Sequence, residues 1–182
     1  LAYQYFGESR ISRKFEFVSR KSRAEKVRAL SLNLDFDKSL TDKTNLSYGA
    51  EYIYNKVGSE AASINIDNNT IESIATRYPD GSEWSSLAAY LSFKYKPIDK
   101  LTLQSGIRYN SILINADLSS NAQFYELPFS DTSLNTSALT GTAGLTWEQS
   151  KTFLWKFNAT TAFRAPNIDD IGKVFASQPG MV

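Results

Sequence analysis

The sequence predicts an all-β protein, an antiparallel transmembrane β-barrel segment of about seven strands cut from a larger barrel. Three observations carry that expectation. Long stretches alternate apolar and polar residues with a period of two, the links between them alternate short and long, and aromatic residues gather near the strand ends. A period of two places successive side chains on opposite faces, which is a strand and not a helix.

The pattern is clearest from Ser85 to Ile114. Leu87, Ala89, Leu91, Phe93 and Tyr95 share one parity, and Ser86, Ala88, Tyr90, Ser92 and Lys94 the other. The second arm repeats it, with Leu101, Leu103, Ser105, Ile107 and Tyr109 against Thr102, Gln104, Gly106, Arg108 and Asn110. Pro97 and Asp99 read as turn residues, so the arms form an antiparallel hairpin. Each arm exceeds the usual soluble strand of about 5–6 residues and suits a tilted membrane strand of roughly 9–11. One face is apolar and aromatic, the other polar, as a wall between lipid and a wet lumen requires.

Taken in order, Leu1 to Phe6 reads as a strand end, and the basic stretch Gly7 to Arg23 as a loop. Glu25 to Asp37 is a strand with Leu30, Leu32, Leu34 and Phe36 on one face. After a short link at Lys38 to Lys43, Asn45 to Asn55 sets Leu46, Tyr48, Ala50, Tyr52 and Tyr54 against Ser47, Gly49, Glu51 and Ile53. Lys56 to Glu83 and Ala116 to Thr136 read as long loops on either side of the central hairpin. Ala138 to Trp147 and Phe153 to Arg164 are strands around a short link at Glu148 to Thr152. The tail from Ala165 is loop-like, with a helical turn around Ile168 to Phe175. Short links at one end and long links at the other are what outer-membrane barrels show, and a β-sandwich has no reason to sort them so. Phe36, Tyr95, Trp147, Phe153 and Trp155 fall beside the short turns, and Tyr52, Tyr54, Tyr109 and Phe163 toward the long loops. That matches two interfacial girdles of amphipathic rings.

Composition is compatible with such a wall. The 182 residues are 42% hydrophobic and 21% charged, with 20 Lys+Arg against 19 Asp+Glu. Near-neutral charge gives no argument for nucleic acid. Cysteine and histidine are absent, which removes disulfides, thiol chemistry and the commonest general base and transition-metal ligand. With no nucleophile–base pair or phosphate loop in view, the reading assigns neither an enzyme nor a resident cofactor or metal site. The sequence starts at Leu1 within an apolar–polar alternation and stops at Met181-Val182 just after a turn-like Gln-Pro-Gly, so residues 1–182 are expected to be one partial barrel domain of a longer protein. A mature secreted domain trimmed at both ends is the alternative.

The run N-A-T-T-A-F-R-A-P-N-I-D-D-I-G from Asn158 to Gly172 contains Phe163, Arg164, Ala165, Pro166 and Asn167. It resembles the strand-to-loop motif of TonB-dependent outer-membrane receptors. The following G-K-V-F-A-S-Q-P-G, with Y-Q-Y-F-G-E-S-R from Tyr3 and S-L-N-L-D-F-D-K from Ser31, is similar to receptors of the Bacteroidetes lineage. The resemblance implies a barrel of about 22 strands filled by a plug domain, which these residues do not contain. It also implies active uptake of an iron complex, a ferric siderophore ahead of haem, driven by the TonB complex acting through the plug. Long loops would face outward from a Gram-negative cell, and a surface lipoprotein could cap the barrel as in glycan importers of the SusC type. A passive porin or adhesin would use the same wall, and a soluble β-sandwich module shares its alternation.

Candidate ligand residues follow from charge and aromaticity. Arg77, Tyr78, Asp80 and Trp84 in one long loop, with Tyr125 in the next, could form part of a ligand mouth, though a solvated loop and girdle would carry the same residues. Arg164 shares parity with Lys156, Asn158 and Thr160, which points it to the lumen, where a planar donor fork suits a plug carboxylate or an anionic ligand. An ordinary wall position in a wet lumen is the simpler reading. Pro166 ends the ladder. Asp67, Asn68 and Asn69 with Asp80 supply oxygens that calcium uses, without calcium-loop spacing. Arg10, Arg13, Lys14, Arg20, Lys21 and Arg23 would meet lipopolysaccharide phosphates or water. Haem uptake would have to draw its histidines from elsewhere, although tyrosine can ligate haem iron.

Overall fold

A computed structural model of the chain describes residues 1–125 and 130–172. It is one antiparallel sheet of eight strands in which every long strand pairs with its neighbour in sequence. The strands are β1 (Ala2–Arg13), β2 (Ser19–Thr41), β3 (Thr44–Asn65), β5 (Glu83–Ile98), β6 (Leu101–Asp117), β7 (Asp131–Glu148) and β8 (Leu154–Thr160), with a short β4 (Ile71–Ser73) on the end of β3. Two helices, α1 (Ser119–Ala122) and α2 (Ile168–Gly172), lie in the connections. The up-and-down order is that of a barrel wall, as the alternation predicts.

The register puts the expected parities on common faces. One row joins Leu34, Ala50, Ala89, Tyr109 and Leu139, and a second Phe36, Tyr48, Leu91, Ile107 and Gly141. The large side chains in these rows are exposed, Ile107 and Leu139 by 55% and 69%, although water would disfavour so continuous an apolar face. Arg28, Lys56 and Glu83 form a charged row on this same face and bound the apolar band toward the long connections. Beneath them lie Tyr3, Leu30 and Tyr54; at the other end Tyr95, Leu103, Leu145 and Phe157 share a row, and Trp147 stands opposite Trp155.

Several expected boundaries move. Gly7 to Arg23 is not a loop: β1 runs to Arg13 and β2 starts at Ser19, with the five intervening residues as the turn. Polar residues on both faces of this ribbon hid its period of two, because it stands beyond the apolar band. For the same reason β3 runs to Asn65, well into the expected Lys56–Glu83 connection, and β7 starts at Asp131. Two of the three short links are also tighter than expected. The first turns at Asp42 and Lys43, and the second at Asp99 and Lys100. Pro97 sits in a register shift between Tyr95 and Ile98 rather than in the turn, a position where its missing N–H costs no ladder bond. The last strand is shorter than expected, ending at Thr160.

Aromatic placements also differ: Tyr109, expected toward the long loops, sits at the middle of β6 in the row of Leu34, Ala50 and Ala89. Phe36 stacks on Tyr48, with ring centroids 5.3 Å apart, level with Leu91 in mid-wall rather than beside a turn. Phe163 lies beyond the end of β8 and lines a cleft on the polar face with Glu51, Trp84 and Arg108, so it is no girdle ring.

The buried core lies near the long connections, on the polar face. Ile112, Ile114, Ala88, Ala116 and Leu118 are within 3% of full burial. Their parity is the lumen parity, and the connections fold over them. Asn121 of α1, fully buried, accepts from the Thr76 N–H and hydroxyl, both at 3.0 Å, and so ties α1 to the loop before β5. The α2 helix lies against β6.

Candidate functional site

Beyond Thr160 the chain leaves the sheet and crosses its polar face as a strap. The Trp84 indole on β5 donates to the Pro166 carbonyl at 2.9 Å. The strap then locks on itself. Asn167 Oδ1 accepts from the Asp170 N–H at 3.1 Å, and Asp170 Oδ2 accepts from the Asn167 N–H at 2.9 Å. This is a reciprocal cap on α2. Arg164 Nη2 donates to Asp170 Oδ1 at 2.7 Å and is otherwise largely exposed. The Asn167 N–H and the Arg164 guanidinium, in that order, hold the Asp170 carboxyl below its ordinary value. Every residue of the motif thus has a visible place, Ala165 lining both the cleft of Phe163 and the cavity beneath the strap. Phe163 faces the cleft, Arg164 and Asn167 serve Asp170, and Pro166 receives Trp84.

The strap roofs a cavity of about 520 Å³. Its floor is the polar face of β1 to β3, at Glu8, Glu25 and Val57, and its sides are Tyr78, Trp84 and Asp169. Of the expected ligand residues, Tyr78 and Trp84 meet here. Arg77 is adjacent, its guanidinium 5.1 Å from the centre of the Tyr78 ring. Burial first, and then a hydrogen bond with Asp169, push the Tyr78 phenol up.

Asp80 turns away and accepts from the Ser59 N–H at 2.9 Å. Tyr125, at the end of the turn after α1, does not line the cavity. Arg164 is spent on Asp170, not on the wall interior. Asp67, Asn68 and Asn69 shape the turn between β3 and β4, where Asn68 Oδ1 accepts from the Thr70 N–H; they are not gathered with Asp80. Among the described residues no group of three or more His, Cys, Asp or Glu is arranged to hold a metal ion. The G-K-V-F-A-S-Q-P-G similarity lies, after its Gly172, outside the described residues.

Sequence reasoning does not single out Glu8, Glu25 or Asp169. Glu25 is legible in part, since it shares the parity of Val27 and Ala29 on β2; Glu8 is hidden when its strand is read as a loop. Arg10 beside it, through its hydrogen bond and then its charge, draws the Glu8 carboxyl below its ordinary value. Below the strap the polar face is a lattice of paired groups. Arg108 Nη2 reaches Glu51 Oε1 at 2.6 Å, and its Nε donates to Asn110 at 2.9 Å.

A wall apolar on one face, polar on the other, and closed over at one end by its own connections defines a segment of a transmembrane β-barrel. Residues 2–180 match the family model described as TonB dependent receptor-like, beta-barrel. The chain belongs to that family, an outer-membrane family of transport receptors. No curated protein matches the chain in sequence. Among solved structures it is similar to one titled "Copper transporter OprC", with a TM-score of 0.65 and 10% identity over 82% of this chain. It spans 24% of that protein's length, and at such identity the likeness shows the fold.

Proposed function

We propose that this wall belongs to a receptor that imports an iron complex, a ferric siderophore, by TonB-dependent active transport. The reading is supported by family membership and by the strapped cavity at the long-connection end, which is lined by Tyr78 and Trp84 and built like a small-ligand site, with mostly apolar walls and a few polar groups. In this reading the long connections face outward, and the basic β1–β2 ribbon with Arg10, Arg13, Lys14, Arg20, Lys21 and Arg23 meets lipopolysaccharide. A plug elsewhere in the full protein engages TonB, and a surface lipoprotein is a candidate partner. Uptake of radioactive iron as a ferric siderophore tests it, in cells with and without the full-length gene and with and without a proton-motive-force uncoupler. The reading expects uptake to need both the gene and the gradient. Uptake that survives uncoupling would instead identify a passive pore.

A further inference from the structure

We infer that the strapped cavity is a subsite for an organic cation, a ligand arm bearing an ammonium or guanidinium group. The inference deepens the transport reading, and rests on it for the claim that this end of the wall meets ligand first.

The central observation is Glu25. Its residue is only 6% exposed, it lines the cavity, and neither of its carboxylate oxygens has a hydrogen-bond partner among the described residues. A buried carboxylate without a partner is strongly disfavoured, so folds normally pair it. The other buried side-chain polar atoms left unpaired among the described residues are Arg23 Nε and Ser59 Oγ. Ser59 stands directly opposite Glu25 in the ladder, and Arg23 lies two residues along the same face. The unmet polar groups of the described wall therefore gather at one spot.

The charge and shape of the lining select the ligand. Glu8, Glu25 and Asp169 line the cavity and no lysine or arginine does. The neighbouring cations stand back: Arg10 is paired with Glu8, and Arg77 lies over Tyr78. Arg10 and Arg23 offset part of the acidic charge, so the cavity suits a single positive group rather than a multivalent one. Phe6, Tyr78 and Trp84 add ring faces, which favour cations. The remaining lining, Val27, Val57, Pro166 and Ile168 among it, takes an apolar body. An amphipathic cation satisfies both, its charged head meeting Glu25 by a charge-assisted hydrogen bond.

The test is calorimetric titration of the full-length receptor in detergent with three probes of one shape: phenethylammonium, 2-phenylethanol and phenylacetate. The inference expects the cation to bind and the alcohol and anion to bind at least about tenfold more weakly. Glu25→Gln should weaken the cation by roughly thirtyfold, while Glu60→Gln, on an exposed position of β3, should change nothing. Equal binding of all three probes, or no binding of the cation, overturns the inference, as does full affinity in Glu25→Gln. The probe comparison needs only the unmodified protein, so it decides the matter even if Glu25→Gln fails to fold. Loss of cation binding with siderophore uptake intact would remove this subsite and leave the transport reading standing.

Discussion

The Tyr90 hydroxyl on β5 donates to Asp35 Oδ1 on β2 at 2.7 Å, reaching across the whole of β3. It passes over Gly49, which the ladder places between them in the same row. A Cβ at Gly49 would stand 2.7 Å from Tyr90 Cε1 and 2.9 Å from Asp35 Oδ1, and would press on the Leu34 carbonyl. The missing side chain is what lets a lumen-facing phenol lie flat against its wall.

Gly49→Ala is therefore expected to destabilise the wall by about 1–3 kcal/mol, read as a lower urea midpoint in detergent. Adding Tyr90→Ala should not restore stability, because the Leu34 carbonyl is backbone and remains in the way. Full rescue by Tyr90→Ala would show that the ring alone sets the requirement.

Trp84 anchors the strap through one indole N–H. Trp84→Phe keeps a ring in the cavity and removes the donor to Pro166, at a cost of about 1 kcal/mol. Hydrogen exchange of residues 161–170 should speed up in this variant, with the exchange of β5 and β6 unchanged. Unaltered exchange in the strap would show that the bond does not hold it.

Acid should release the strap's internal lock. The Asp170 carboxyl is held below its ordinary value by the Asn167 N–H and then Arg164. Its folded value lies below its unfolded value, so its contribution is complete above the ordinary aspartate range near 3.8. It is lost as pH falls through the lowered folded value. Strap exchange should accelerate in that acid window in the natural protein. In Asp170→Asn it should already be fast at neutral pH and show no further acid step.

The wall was legible in the sequence wherever one face had to be apolar. Leu30 to Phe36, Leu87 to Tyr95 and Leu139 to Trp147 announced their parity because lipid demands an unbroken stripe. Beyond the apolar band that demand lapses. The β1–β2 ribbon from Gly7 to Arg23 carries Glu, Arg, Ser and Lys on both faces, and its strands are set by pairing alone. The candidate site was half legible. Tyr78 and Trp84 stood out as loop aromatics, but their floor of Glu8 and Glu25 belongs to that hidden ribbon. Their roof comes from a strap whose inward turn after Thr160 no local pattern signals. Ile112 and Ile114 break the lumen alternation where the strap and connections cover the wall, a break that sequence reasoning does not single out.

The central claim is that one face of this sheet meets lipid and the other the lumen. Leu91 and Ser92 are neighbours on β5 with opposite parity, near mid-wall, Leu91 in the row of Phe36 and Ile107 and Ser92 in that of Ser47 and Gly106. The direct measurement is the folding free energy of the full-length protein in lipid bilayers, with each position changed to arginine. Leu91→Arg should cost ~2–4 kcal/mol and Ser92→Arg close to nothing. Equal tolerance at the two positions would contradict the account.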